Sequence, residues 1–207
     1  MMTPMKLYYF PAACSLAPHI ALRELGLPFT LVKFDTKSGA LDEGGRLEDV
    51  NEKGLVPVLE LDDGERLTEV SAVLQYIADR KPESGLAPPA GTMARYRLME
   101  WLNFIATEVH KAYWPIFHDG ADVEKETGRA RIGRSFDYVQ RRLGEREFLL
   151  GDQFTVADAY LLVTLNWTKP AGIDIERWPK LKAYRLRMRE RPAVIAALDA
   201  EGLLKKR

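Results

Sequence analysis

A stretch that neither a helix nor a strand can carry divides this chain. From Lys81 to Pro89 the sequence runs Lys-Pro-Glu-Ser-Gly-Leu-Ala-Pro-Pro, where prolines remove backbone donors and the glycine releases the chain from any regular form. The patterns on its two sides differ. Before it, Lys6–Phe10 and Phe29–Phe34 read as strands, and Leu16–Leu25 between them reads as a helix ended by Gly26. Val56–Leu61 followed by Asp62-Asp63-Gly64-Glu65-Arg66-Leu67-Thr68 reads as a β-hairpin, an Asp-Gly turn separating two apolar stretches, and Val70–Arg80 follows as a helix. The order βαβ, an irregular or helical link, then ββα predicts a small mixed sheet with helices packed on it.

Beyond the break the pattern is helical throughout. Leu98, Trp101, Leu102, Ile105 and Val109 recur at i, i+3, i+4, i+7 and i+11, one apolar face of a long helix. Ile132, Phe136, Val139 and Leu143 mark the next, and Val156–Trp167 is apolar nearly all round, as a helix at the centre of a bundle must be. Thr155 and Asp158 resemble a capping box at its start, with Phe154 as the staple. Leu181–Met188 and Val194–Leu198 complete an all-α half. The expected fold class is therefore α+β over residues 1–82, a linker over 83–90, and an all-α helical-bundle domain over 91–207.

Charge narrows the function. Thirty Lys and Arg balance thirty Asp and Glu, so there is no bulk positive field to hold nucleic acid or an anionic membrane, and neither partner is expected. No apolar run approaches a membrane span, and no export signal is read at the N-terminus, so a cytoplasmic protein is expected. A single cysteine, Cys14, fits a reducing compartment. His19, His110 and His118 lie at no ligand spacing from one another or from Cys14, so no metal is expected. Gly44-Gly45 lacks the Lys-Ser signature of a phosphate loop.

Four stretches carry chemistry-bearing residues, each with a structural alternative. Cys14 sits where a strand gives way to a helix start at Ser15-Leu16, a position that favours thiolate over thiol; a buried unpaired cysteine is the alternative. Asn103, Thr107 and His110 fall on one helical stripe, with Ala106 leaving room beside His110; alternatively His110 packs and Lys111 is a solvated charge. Pro57 heads a strand, where a cis bond would expose the Val56 backbone for an extended ligand, and a trans bond would fit as well. At Thr68-Glu69-Val70-Ser71, backbone N–H groups suit a carboxylate and Glu69 suits an ammonium; a simple helix cap reads equally well.

Together these stretches resemble the glutathione S-transferases, most closely the beta class found mainly in bacteria, over essentially the whole chain from Met5. The markers are Lys6-Leu7-Tyr8-Tyr9-Phe10-Pro11 with Cys14-Ser15-Leu16 and Pro18-His19-Ile20, Asn51-Glu52-Lys53-Gly54 with Val56-Pro57, and Leu67-Thr68-Glu69. In the second half they are Glu100-Trp101-Leu102-Asn103, Glu108-Val109-His110-Lys111 and Phe154 through Tyr160. The resemblance implies a thioredoxin-like N-terminal domain, a homodimer, and glutathione in a cleft between domains. It implies that Cys14 approaches the glutathione sulfur and can form a mixed disulfide with it. Val56 before a cis Pro57 would pair with the cysteinyl backbone, and Glu69 with the N–H of Val70 would hold the γ-glutamyl end. Asn103, His110 and Lys111 would complete the site, and donors around Cys14, Ser15 and His110 would lower the glutathione thiol pKa. The box at Thr155–Asp158 would be structural.

This chain departs from the family pattern at four places. Ala12 stands where a glycine is common, Glu52 follows Asn51 in place of proline, and Val70 replaces a serine hydroxyl. The lysine expected near residue 39 to meet the glycine carboxylate is Gly39, with Lys37 as a nearby substitute. The expected function is conjugation of glutathione to small, largely apolar electrophiles, a detoxification, in a pocket lined by Tyr113, Trp114 and Phe117. Two alternatives compete: thiol-disulfide exchange through Cys14, and a non-catalytic protein that binds apolar ligands.

Overall fold

The computed structural model describes residues 4–204; the outermost residues of the two expected domains, 1–3 and 205–207, lie outside the described residues. The chain forms two compact units, one built from the segment up to Ser84 together with the segment from Arg191 onward, the other from Gly85–Glu190.

The first unit is a four-stranded mixed sheet with helices. Its elements are β1 (Met5–Tyr9), α1 (Leu16–Glu24), β2 (Phe29–Lys33), a short α2 (Leu47–Val50), β3 (Val58–Glu60), β4 (Arg66–Thr68) and α3 (Val70–Asp79). The sheet order is β2-β1-β3-β4, with β1 parallel to β2 and antiparallel to β3, and β3 antiparallel to β4. Successive strand residues face opposite sides. Tyr8, Val32 and Val58 turn to one side and close a core with Leu41 and Leu47, against which Phe34, Val50 and Val56 pack. Leu7 and Leu59, register partners on the other side, are fully buried, as are Ile20 and Ala21 of α1 and Val73, Leu74 and Ile77 of α3. Gly64, at φ +89°, makes the hairpin turn that the Asp-Gly pair announces.

The second unit is helical. Its α4 (Met93–Phe104) runs into a π-helical segment Ile105–His110, a 3-10 turn Lys111–Tyr113 and a short α5 (Trp114–Phe117), followed by α6 (Asp122–Leu143), α7 (Val156–Asn166) and α8 (Pro179–Arg189). The apolar set predicted for α6 is its buried face: Ile132, Phe136, Val139 and Leu143. Every residue of α7 from Val156 to Leu165 is buried, the central helix its composition requires. The Asp158 carboxylate anchors it by accepting from the Thr155 N–H at 2.8 Å, the Thr155 hydroxyl at 2.9 Å, the Leu149 N–H at 2.9 Å and the Tyr184 hydroxyl at 2.7 Å. Burial raises the pKa of this carboxyl, and the four hydrogen bonds offset part of that.

Two boundaries differ from the sequence reading. The expected linker over 83–90 divides after Ser84, and most of it is structural: Leu86 and Ala87 are buried, the Leu86 carbonyl accepts from Val156 N–H at 3.0 Å, and Arg95 donates to the Pro88 carbonyl at 3.0 Å. The expected all-α domain over 91–207 loses its last helix, because α9 (Pro192–Ala200) packs on α1 in the first unit. There Val194, Ala197 and Leu198 are buried, and Arg191 forks onto the Glu24 carboxylate at 2.7 and 3.1 Å. An apolar repeat reveals that a helix has a face to bury; it does not say which unit covers that face.

Candidate active site

The turn between β1 and α1 is shaped around Ser15, Ala12 and Cys14. Ser15 is fully buried, and its hydroxyl both accepts from the Phe10 N–H and donates to the Phe10 carbonyl, each at 3.2 Å, which closes the loop on itself. Ala12 holds φ +64°, a left-handed backbone that costs an L-residue about 1–2 kcal/mol and explains why glycine suits this place. Its N–H donates to the Glu201 carboxylate at 2.9 Å. The same carboxylate lies 2.8 Å from His19 Nδ1, both side chains being fully buried. His19 Nε2 accepts from Arg23 Nε at 3.3 Å, so the ring carries its proton on Nδ1 and donates it to Glu201. A residue beyond the last helix thus braces the loop that presents the cysteine.

Cys14 is largely buried, and its sulfur lies 3.3 Å from the Val56 carbonyl, an acceptor that pairs with the protonated thiol. The Val56–Pro57 peptide bond is cis. Asn51 sets up this junction: its amide donates to the Leu55 carbonyl at 2.7 Å, its side-chain oxygen accepts from Lys53 N–H at 3.3 Å, and its carbonyl accepts from the N–H of Gly54, which turns at φ +61°. At the junction of β4 and α3, Glu69 also takes a positive φ, +68°, while its carbonyl accepts from Ala72 and Val73. Such a conformation in a non-glycine residue is strained and concentrates at functional sites. The exposed Glu69 carboxylate is paired with Lys53 Nζ at 2.6 Å, and the same ammonium donates to the Thr68 hydroxyl at 2.9 Å. Val70, next in the chain, is buried.

Two residues here escaped the sequence reading. Lys53 lies inside a quoted motif, but its distance of 16 positions from Glu69 hid the pairing. Arg46 is the other: its guanidinium donates to the Ser38 carbonyl at 3.2 Å and fills the space above Gly39, where an added Cβ would stand 2.6 Å from a guanidinium nitrogen. The absence of a side chain at Gly39, φ +73°, is what admits it. Lys37 is exposed, with its backbone N–H on the Asp35 carboxylate at 2.8 Å.

In the second unit the expected stripe of Asn103, Thr107 and His110 does not form as an α-helical row. The backbone changes at Ile105 to the wider π turn, marked by the Lys111 N–H reaching back to the Ala106 carbonyl. Asn103 and Thr107 are exposed, the Thr107 hydroxyl donating to the Asn103 carbonyl at 3.0 Å, whereas His110 turns inward. His110 Nδ1 lies 2.7 Å from the Tyr160 hydroxyl, with the Trp167 ring edge-on at 4.9 Å. A π turn leaves no mark in the apolar periodicity: Ile105 and Val109 are buried as that pattern expects, while the polar row of Asn103, Thr107 and His110 is broken.

The three aromatics expected to line one pocket separate. Tyr113 is buried, its hydroxyl donating to the Thr164 carbonyl at 3.0 Å, and burial holds its phenol well above the ordinary value. Phe117 stacks on it at 5.6 Å. Trp114 stacks instead on His118 at 3.7 Å, with the Lys111 ammonium 5.0 Å from its ring centre, and lines a cavity of about 490 Å³ with Lys111, Pro115, Val123, Thr127 and Arg131. Among the described residues no group of three or more His, Cys, Asp or Glu side chains gathers as a metal site, and no helix is long and apolar enough to cross a membrane.

Comparison with known proteins bears on both units. Residues 13–80 match the family described as glutathione S-transferase, N-terminal domain, and residues 121–187 the family described as glutathione S-transferase, C-terminal domain. The glutathione S-transferase GstA of Escherichia coli O157:H7 is 46% identical over 200 residues, covering 96% of this chain and all of that protein. A sphingomonad glutathione S-transferase solved in complex with glutathione is 46% identical with a TM-score of 0.92, over 96% of this chain and all of its own. The beta class glutathione S-transferase of Sphingomonas chungbukensis superposes with a TM-score of 0.93 at 46% identity, over 96% of this chain and all of its own.

Proposed function

The chain belongs to the glutathione S-transferase family and is a glutathione transferase, and from that premise we propose how its own residues serve the reaction. One observation carries the reading: the Cys14 sulfur and the carbonyl of Val56, at the cis Val56–Pro57 junction, meet at 3.3 Å. Glutathione lies extended along this edge, its cysteinyl backbone paired with Val56 and its sulfur at Cys14. Its γ-glutamyl ammonium meets Glu69, which Lys53 shares, and its γ-glutamyl carboxylate meets the N–H of Val70. Arg46, over Gly39, is the cation for the glycine carboxylate in place of Lys37. Asn103, His110 and Lys111 contribute polar contacts, His110 as a donor to the glutathione sulfur, and Ser15 acts by shaping the loop.

Chemically, the glutathione thiol gives its proton to solvent and the thiolate sulfur forms a bond to an electrophilic carbon. From that carbon either a leaving group departs with its bonding pair or a π-electron pair shifts away onto the neighbouring atom, which takes up a proton. The electrophile is small, largely apolar and taken up beside Trp114, a detoxifying conjugation in the cytoplasm. The relatives' transferase names disfavour thiol-disulfide exchange and passive ligand binding as the main activity.

Turnover of a chromogenic aryl halide, followed with retention on immobilised glutathione and elution by the free tripeptide, tests this reading. Incubation with glutathione disulfide near neutral pH is expected to add one glutathione per chain by mass spectrometry, with none on the Cys14→Ala variant. No retention at low salt would remove the cosubstrate assignment, and a thiol that reacts only well above neutral pH would make Cys14 structural.

The protein also forms a homodimer on this reading. Met93, Tyr96 and Met99 make an exposed apolar stripe along α4, Met93 being 69% and Tyr96 55% exposed. Light scattering is expected to give about twice 23.5 kDa, and Tyr96→Glu with Met99→Glu to halve that mass without unfolding the chain. A wild-type monomer at micromolar concentration would exclude the dimer.

A further inference from the structure

His110 ends the π-helical segment, and the residue that receives it is Tyr160, on the second turn of the buried helix α7. The phenol oxygen stands 2.7 Å from His110 Nδ1, and the two rings meet edge-on at 5.9 Å and 87°. Trp167, from the end of the same helix, sets its ring against the imidazole at 4.9 Å and 63°. Tyr160 is itself about 1% exposed and held by the packing of α7. The hydrogen bond to Tyr160 thus holds the imidazole in position, and the rings of Tyr160 and Trp167, both from one rigid element, flank its plane.

That hydrogen bond has a direction. A phenol O–H is a far stronger acid than the N–H of a neutral imidazole, and an imine-type ring nitrogen is the stronger base of the pair. The bond is strongest with the phenol donating to Nδ1, which leaves the ring proton on Nε2. Resting on the reading of His110 as a donor to the glutathione sulfur, we propose that Tyr160 is a positioning residue that fixes this tautomer. His110 then offers Nε2–H to an anionic sulfur without gaining or losing a proton, and the π segment delivers its ring to Tyr160. Tyr160 does not touch the reacting atoms; it acts through His110.

Nitrogen-15 NMR of the imidazoles reads the tautomer directly, with His110 assigned by its loss in His110→Ala. The wild-type protein is expected to show Nδ1 unprotonated and Nε2 protonated, and Tyr160→Phe to move His110 toward a mixture of tautomers. In conjugation, Tyr160→Phe is expected to lower kcat/KM for glutathione about fivefold, the scale of one hydrogen bond. The same change in a His110→Ala background is expected to have no further effect. A wild-type His110 protonated on Nδ1 overturns the proposal, and that measurement does not depend on how the variant folds. An unchanged tautomer in a folded Tyr160→Phe protein, or an equal loss in the His110→Ala background, overturns it as well. Full activity of His110→Ala would instead remove the role given to His110 while leaving the tautomer assignment to stand on the NMR alone.

Discussion

Asp158→Ala is expected to be among the most destabilising single substitutions in the chain, lowering stability by about 4 kcal/mol. The carboxylate is fully buried and accepts from four donors: the Thr155 N–H and hydroxyl, the Leu149 N–H and the Tyr184 hydroxyl. Alanine removes the acceptor and leaves all four donors inside the second unit. A stranded buried donor costs about 1–3 kcal/mol, and loss of the helix start about 1 kcal/mol more, with partial relaxation reducing the sum. For a chain of this length the melting temperature should fall by about 10 °C. Asp158→Asn, which keeps one oxygen, should fall roughly half as far. Thermal unfolding followed by circular dichroism measures both, and a drop below about 3 °C for alanine would show that the four bonds hold little.

Glu201→Ala is expected to cost about 3 kcal/mol and, unlike Asp158→Ala, to act on the loop that carries the thiol. It strands the His19 Nδ1–H and the Ala12 N–H, both served by this one carboxylate. With the bond to Ala12 lost, the left-handed backbone at that residue loses its anchor, and the Cys14 loop gains freedom. Two readouts separate the effects: urea unfolding gives the stability, and the rate of Cys14 modification by glutathione disulfide in the folded protein reports the loop. Glu201→Gln keeps an acceptor for His19 and should lose about 1 kcal/mol. A Glu201→Ala protein with unchanged stability would show that the buried carboxylate is dispensable.

Local signals account for what was legible in the sequence. The strand and helix pattern of the first unit, the Asp-Gly hairpin, the buried face of α6 and the box at Thr155–Asp158 each depend on residues within a few positions of one another. What was illegible depends on distance or on backbone form. The Glu201 bond to Ala12 spans 189 positions, and no periodicity encodes it. The π turn over Ile105–His110 preserves the apolar residues but changes their angles, which is why His110 parts from Asn103 and Thr107. Tyr113 illustrates a third limit: an aromatic in a pocket and one in a core look alike until burial is known, and Tyr113 is in the core. Arg46 came to light only through what Gly39 lacks, since a missing side chain carries no pattern of its own.

Because α9 is part of the first unit, the segments before and after Gly85–Glu190 are joined in one fold, with the helical unit between them in sequence. On the ribosome this fixes an order of events. Gly85–Glu190 is entire as soon as α8 has emerged, whereas the unit that holds Cys14 stands without α9 and Glu201 until those later residues have emerged in turn. Of the two units, the one begun first is completed second, and for that interval the apolar face of α1 that α9 covers is open to the solvent and to chaperones.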